Sequence, residues 1–177
     1  AFVKKLSTEE VHSKWIFIAA ETLTADGMKA ALEKATSLHD QIVKAPGKFA
    51  ELAKKHSSHF TTKELGGELG WMKGNDYSVP LMAEYLAFTQ KKGELGPVTQ
   101  IVIPDAMTPM ASKVGYGFVE VLGSRKLEDL PKDYDWNTVK ASQIERMTQR
   151  YETLLGEGYV AAKLAQAEIT CHTKEAE

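Results

Sequence analysis

The sequence predicts an α+β fold in which helices pack on a small, mainly antiparallel sheet. Three observations predict it: an apolar, β-branched segment near the N-terminus, three helical segments that follow it, and two strand-like segments after those. Helices grouped between strands are typical of α+β proteins rather than of alternating α/β proteins. The predicted order is therefore β-α-α-α-β-β.

The first strand and the first helix are predicted from their apolar patterns. Residues 15–20, Trp-Ile-Phe-Ile-Ala-Ala, are apolar and too short for a stable helix, which predicts a buried strand. Asp26 is placed to cap the helix that follows, and Pro46 with Gly47 ends it. Its apolar positions recur every three or four residues, as in an amphipathic helix: Met28, Ala31, Leu32, Ala35, Leu38 and Ile42.

The remaining elements of the domain follow in order. Residues 49–53 repeat the helical spacing, and the glycine-rich stretch 66–76 predicts irregular backbone with tight turns. A third helix is predicted from Pro80 to Lys92, where Gly93 stops it. Residues 98–103 and 118–122 predict two strands separated by a loop that contains proline and methionine.

A second region begins at Asn137 with the pattern of a long helix. Its apolar stripe consists of Val139, Ile144, Met147, Tyr151, Leu154 and Leu155. Such a stripe must be buried against another surface, and we expect a partner chain or a missing N-terminal piece to supply it. The predicted organisation is an N-terminal segment 1–12, a domain 13–126 and a helical lobe 127–177 with a terminal strand at 169–173.

Composition excludes several classes of function. The chain has 177 residues, 43% of them hydrophobic and 26% charged, which fits one main globular domain with an appendage. The net charge is −2 and the basic residues are scattered, which disfavours a nucleic-acid or anionic-membrane surface. No apolar run approaches the ~18 residues of a membrane helix, and Ala1 opens on no signal-like segment, as in a mature or trimmed product. The lone Cys171 has no internal disulfide partner.

Two segments carry a family resemblance: Phe49-Ala-Glu-Leu-Ala-Lys-Lys-His-Ser57 and Gly66-Gly-Glu-Leu-Gly-Trp71. They resemble the parvulin family of peptidyl-prolyl isomerases, which shows F-A-E-L-A-x-x-x-S, a variable stretch of similar length, and G-G-D-L-G-W. The resemblance covers residues 13–126. The other landmarks occur in the family's order: Val79-Pro80, Ala87-Phe88, Gly93-Glu94-Leu95, Gly96-Pro97-Val98 and Gly115-Tyr116.

The resemblance implies rotation about X-Pro bonds, whose barrier of about 20 kcal/mol makes the uncatalysed reaction slow. In parvulins the polar part of the site is two histidines, on the first and last strands, with an Asp or Cys after the second helix. Here Trp15 and Gly117 stand at the histidine positions and His59 stands at the Asp or Cys position. His59 is either a replacement catalytic group or a solvent-exposed loop histidine.

The apolar pocket implied by the resemblance is also altered. Leu69 agrees with the family, Met82 stands where Phe is usual, and Ser78 or Tyr77 stands where Met is usual. With Trp15 and Gly117, the predicted peptide-binding residues are completed by Trp71 and Phe88. The loop 101–112 is longer than the family's turn and is placed to form a lid.

No motif predicts a metal or another cofactor. The other histidines, His12, His39, His56 and His172, lie at spacings that do not match metal ligands. Flexible methionines suit a surface that accepts many sequences, and for Met107 and Met110 peptide contact and burial remain open alternatives.

The sequence therefore predicts a parvulin-fold foldase or chaperone that binds unfolded or extended polypeptide segments, with prolyl isomerase activity weak or absent. The alternative is an active isomerase with a non-standard polar site, and a third is a structural domain that serves assembly alone. Expected partners are proline-containing or unfolded clients and a second copy of the chain. The lobe resembles that of bacterial envelope foldases, which implies a periplasmic or cell-envelope location.

Overall fold

The computed structural model describes residues 5–6, 8–74, 79–103 and 112–127, together with the single positions 141, 145 and 149. Four strands, four α-helices and one 3-10 turn are described over their full ranges. In chain order they are β1 Glu9–Ala19, α1 Ala25–Lys44, the 3-10 turn Pro46–Lys48, α2 Phe49–His56, α3 Phe60–Lys63, β2 Glu68–Lys73, α4 Leu81–Thr89, β3 Thr99–Ile103 and β4 Lys113–Lys126.

The strands form one antiparallel sheet in the order β2-β1-β4-β3. The two central strands pair along their length, from Glu9 opposite Lys126 to Ala19 opposite Gly115. A register shift between His12 and Ser13 interrupts this pairing, as a β-bulge does. The α+β class and the antiparallel sheet are therefore confirmed.

Helices cover the sheet on both faces, which explains the continuous apolar segment in β1. Trp15 and Phe17 belong to the core cluster that contains Phe88 of α4. Ile16 and Ile18 belong to the cluster formed with α1 and α2. Alternate residues of a strand point to opposite faces, so a strand covered on both sides is apolar at successive positions.

The structure corrects the predicted order at several places. β1 begins at Glu9 rather than at residue 15, so residues 9–12 belong to the sheet and not to a preceding segment. β2 lies in the glycine-rich stretch that was predicted to be irregular, and α3 was not predicted at all. β4 extends beyond 118–122 in both directions. The three predicted helices are present as α1, α2 and α4.

The N-cap of α1 is Thr24, not Asp26 as predicted. The side chain of Thr24 accepts a hydrogen bond from the Gly27 N–H at 3.2 Å. Asp26 lies in the first turn of the helix, where its charge interacts favourably with the helix dipole.

The turn between α3 and β2 depends on glycine. Gly66 and Gly67 have φ values of +69° and +89°, and Gly70 has +74°, a region that L side chains rarely adopt. The Gly67 carbonyl accepts a hydrogen bond from the Trp15 N–H at 2.9 Å. A Cβ on Gly67 would lie 2.4 Å from the Trp15 carbonyl oxygen. The absence of a side chain therefore lets this turn reach the edge of β1.

Candidate functional site

The segment after α2 lies along the edge of β1, next to Phe17 and Ala19. The Ser58 N–H donates to the Phe17 carbonyl at 2.6 Å, and the Ser58 Oγ accepts from the Ala19 N–H at 3.1 Å. The buried Ser57 hydroxyl lies 3.4 Å from both the N and the O of Phe17. These contacts hold His59, which follows directly, beside the first strand.

His59, Thr62 and Trp15 form a connected group. The Trp15 Nε1–H donates to the Thr62 Oγ1 at 2.9 Å, and the same oxygen lies 2.9 Å from the His59 Nδ1. The His59 Nδ1 also accepts from the Thr62 N–H at 3.4 Å, as the N-cap of α3. The ring centroids of Trp15 and His59 are 4.8 Å apart at 63°. The structure thus brings together two of the predicted site residues, 44 positions apart in the sequence.

Trp15 lies in the core rather than at a surface. Its exposed fraction is 0%, and its ring centroid is 5.8 Å from that of Phe17. The indole N–H, the one polar group of its side chain, donates to Thr62. In this structure its side chain offers no area to a bound peptide. Its ring packs against the ring of His59 instead.

Gly117 leaves no room for a side chain. It lies in β4 opposite Phe17 and Thr99. A Cβ there would be 2.9 Å from the Ile101 Cδ1 and 2.5 Å from the Ile16 carbonyl oxygen. The second position at which the parvulin resemblance places a histidine is therefore occupied by apolar packing from β3.

The apolar rim of the core cluster that contains Trp15 consists of four partly buried residues. Leu69 on β2 and Met82 on α4, both predicted as peptide-binding residues, are partly buried and pack against this cluster. Ala19 and Ile103 do so as well, and the sequence did not indicate them. The sequence feature that could have indicated these two residues is their position, since each is the last residue of a strand of the same sheet.

The other predicted peptide-binding residues lie elsewhere. Phe88 is 1% exposed in the core, and Ser78 and Tyr77 lie outside the described residues. Trp71 is 44% exposed, with its ring 5.3 Å from that of His12. Its neighbour Met72 faces the core under α4, so Trp71 lies on the opposite sheet face. Leu69 is the unpaired residue at the register shift opposite Ser13 and Lys14, so it packs on the core face although it lies two positions from Trp71. The structure therefore separates Trp71 from the apolar rim.

Two features near His59 were not predicted. Thr62 follows the N-cap by three residues, the spacing at which a cap and the first turn exchange hydrogen bonds, so local spacing gave a signal for it. Phe60 and Leu65 are 87% and 62% exposed on either side of it in the chain. Single exposed apolar residues are common, so the sequence gave no reason to select these two.

Burial lowers the pKa of His59 below its ordinary value of 6.5, and the positive charge of Lys113 lowers it further. Both effects oppose the imidazolium form. The ring is therefore mainly neutral at neutral pH.

We expect acidification to destabilise the fold through His59. Because its folded pKa is lower than its unfolded pKa, the unfolded chain binds more protons as the pH falls past the unfolded value, and the free energy of unfolding decreases. His59→Gln should lose less stability than the wild type between about pH 7.5 and about pH 5.5, measured as urea midpoints. Equal losses in the two proteins would contradict this assignment.

Among the described residues, no group of three or more His, Cys, Asp or Glu side chains is arranged to hold a metal ion. Within the same part of the chain, no helix has the length and hydropathy needed to cross a membrane.

The order of the elements, the position of His59 and the glycine turn can be compared with known families. The family model described as the PPIC-type PPIase domain, Rotamase_3, matches residues 2–102. The chain belongs to this family. The recognition of a parvulin-type domain from its sequence motifs is therefore confirmed.

Two relatives carry the name Chaperone SurA. The protein of Idiomarina loihiensis is 28% identical over 123 residues, which are 70% of this chain and 25% of that protein. The protein of Pseudomonas fluorescens is 29% identical over 164 residues, 90% of this chain and 35% of that protein. The chain therefore spans only a minor part of either relative's length.

Two solved structures share the fold. A PpiC-type peptidyl-prolyl cis-trans isomerase domain has a TM-score of 0.54 at 22% identity, over 71% of this chain and 99% of that one. The peptidylprolyl isomerase PrsA of Bacillus anthracis has a TM-score of 0.50 at 21% identity, over 96% of this chain and 65% of that one. Together with the family match, they place this chain among the parvulin folds.

Proposed function

We propose that this domain binds extended polypeptide segments at the apolar rim around Leu69 and Met82, and that it accelerates X-Pro rotation only weakly. The proposal rests on the packing at positions 15 and 117, where the parvulin resemblance implies histidines. Trp15 is fully buried, and the space beside Gly117 is filled by Ile101. His59 is then the one polar group left of the three that the parvulin resemblance implies.

The chemistry of the reaction explains the expected weakness. Rotation about an X-Pro bond needs no covalent step, so a catalyst must bind the twisted amide more tightly than the planar one. An apolar surface can contact a proline ring and exclude water, but it binds the planar and the twisted amide equally well. Polar groups aimed at the twisted amide supply the difference, and this site retains few of them.

A refolding assay tests the proposal. At stoichiometries where active parvulins work catalytically, we expect only slight acceleration of a proline-limited refolding reaction by the full chain. A protease-coupled assay on short X-Pro peptides should agree. Strong turnover that survives His59→Ala would contradict the proposal, because the site would then hold catalytic groups other than His59.

The connection of His59 to Thr62 and Trp15 favours a second candidate, an active isomerase that uses His59 as its polar group. The ring is fixed by two contacts to Thr62 and is mainly neutral. In that case the same assays should give strong turnover that is lost in His59→Ala. The two candidates are thus separated by one pair of proteins.

We further propose that the clients are unfolded or proline-containing polypeptides in a bacterial periplasm or cell envelope. The support is the similarity to proteins named as chaperones and the resemblance to envelope foldases. Leu69→Asp should weaken suppression of client aggregation, since a charge would occupy a partly buried position of the apolar rim. Leu65→Asp is the matched control on an exposed turn.

We also propose that the predicted lobe 127–177 binds clients or forms a dimer. The sheet ends at Lys126, and the three positions described after Leu127, which are Ala141, Glu145 and Gln149, are helical and exposed. If the stripe of this region is buried against a second chain, light scattering should give a dimer for the full chain and a monomer for a chain ending at Lys126. A monomeric full chain, with a truncated form equally stable and equally able to suppress aggregation, would contradict the role.

A further inference from the structure

We infer that Thr62 is a positioning residue that holds His59 in the neutral Nε2–H tautomer, so that this N–H donates a hydrogen bond to the main chain of a bound X-Pro peptide. The inference rests on the proposed function, because it places the peptide beside His59, whose neighbour Trp15 belongs to the cluster against which Leu69 and Met82 pack. It adds the direction of the hydrogen bond and the residue that fixes it.

The direction follows from counting donors, starting at Trp15. An indole Nε1–H only donates, so at 2.9 Å the Thr62 Oγ1 accepts from it. The hydroxyl keeps its own proton for a second contact. The other polar atom at hydrogen-bond distance from this oxygen is the His59 Nδ1, also at 2.9 Å.

The Nδ1 atom of His59 receives rather than gives at this contact. The Thr62 backbone N–H, which can only donate, is directed at the same atom at 3.4 Å. If Nδ1 carried a proton, that proton would face the Thr62 N–H, and the hydrogen bond from the Thr62 N–H could not form. The hydroxyl therefore donates to Nδ1, and the single proton of a neutral imidazole lies on Nε2.

The arrangement is anchored in the core and ends at the surface. Trp15 is 0% exposed and Thr62 is 5% exposed, while the His59 backbone is tied to Ser57 by the His59 N–H, at 3.4 Å from the Ser57 Oγ. His59 itself is only partly buried. Fixed partners on one side of a ring restrict the orientation of the other side, which lowers the entropy lost on binding.

The other nitrogen of the ring is available for a ligand. Within the part of the chain that the structure describes, the Nε2 of His59 has no hydrogen-bond partner. A ring that is an N–H donor there selects acceptors: the carbonyl oxygen before the proline, or the imide nitrogen once the amide twists and its lone pair localises. With the proposed function, the ligand class that brings such an acceptor to His59 is an extended peptide with an X-Pro bond.

Long-range proton–nitrogen NMR on the full chain tests the tautomer without a ligand. We expect the His59 signals of the Nε2–H form in the wild type and in Thr62→Ser, which keeps the hydroxyl. Thr62→Val keeps the shape and the backbone N–H but removes the hydroxyl, so a share of the Nδ1–H form should appear. Wild-type His59 in the Nδ1–H form, or unchanged signals in Thr62→Val, would overturn the inference.

Titration with an acetylated Ala-Leu-Pro-Phe amide tests the donation. Thr62→Val and His59→Ala should each weaken binding about tenfold, the effect of one hydrogen bond, whereas Thr62→Ser should bind as the wild type does. An unchanged indole N–H signal of Trp15 in Thr62→Ser checks that the core is intact. Equal affinity in all four proteins would overturn the donation. If the wild type binds no peptide, the proposed function fails as well, while the tautomer still decides the role of Thr62.

Discussion

Replacing Gly67 with valine should lower the free energy of unfolding by about 3 kcal/mol or more. Two independent costs act at this position. Its φ of +89° is rarely adopted by β-branched residues. A Cβ would also lie 2.4 Å from the Trp15 carbonyl oxygen, 3.1 Å from the Phe49 ring and 3.2 Å from the Ala53 Cβ. Because the nearest of these atoms is backbone of the central strand, relief requires the turn to leave the edge of β1.

Two other glycines separate strain from steric conflict. Gly70→Val shares the positive φ, at +74°, but nothing lies within 4 Å of its Cβ, so it should cost only about 1–2 kcal/mol. Gly47→Ala has neither problem and should change stability by less than about 0.5 kcal/mol. Urea unfolding measures all three. If Gly67→Val and Gly70→Val were equally destabilised, contact with β1 would not contribute.

The fold was predictable where apolar periodicity is strong. Residues 15–18 are apolar at every position because helices cover both faces of β1, and α1 repeats its apolar residues at helical spacing. β2 escaped prediction because Gly70 lies within it at positive φ, and glycine usually signals a turn. The first residues of β1 were not predicted because Glu9, Glu10 and His12 are polar and Val11 is the one apolar residue among them.

The site was predictable only in part, because its contacts depend on how distant segments meet. The position of His59 followed from motifs around it, and its link to Thr62 lies within one helical turn. Its contact with Trp15 exists because the segment after α2 pairs with Phe17. The filling of the space beside Gly117 depends on the register of β3 against β4, which the sequence does not specify by pattern.

Both positions where the resemblance implies histidines have become part of the apolar core. Trp15 contributes a large buried ring, and Gly117 allows Ile101 to pack against the sheet where a side chain would otherwise project. These changes support each other, since Trp15 and Ile101 belong to one core cluster. The loss of polar groups is therefore coupled to packing, and one substitution does not reverse it.

Gly117→His, which introduces the histidine of the resemblance, should therefore destabilise the domain by about 3 kcal/mol and leave isomerase activity slight. The new Cβ would be 2.5 Å from the Ile16 carbonyl oxygen and 2.9 Å from the Ile101 Cδ1. The imidazole would also lose water without gaining a partner. Gly123→His, in the same strand, is the matched control: among the described residues, a Cβ there would contact the Trp71 ring alone, at 3.4 Å and beyond, so it should cost less than about 1 kcal/mol.

Removing Ile101 shows whether this packing is what excludes the histidine. Ile101→Ala alone should cost about 2–4 kcal/mol, because it opens a cavity at a fully buried position. In Gly117→His with Ile101→Ala, the imidazole can enter that cavity, so the double variant should be at least about 1 kcal/mol more stable than the sum of the single changes predicts. Urea midpoints with a common m-value give these energies, and the isomerase assay follows activity in the same proteins. Strictly additive losses would show that Ile101 does not obstruct position 117 and that the Ile16 carbonyl alone excludes a side chain there.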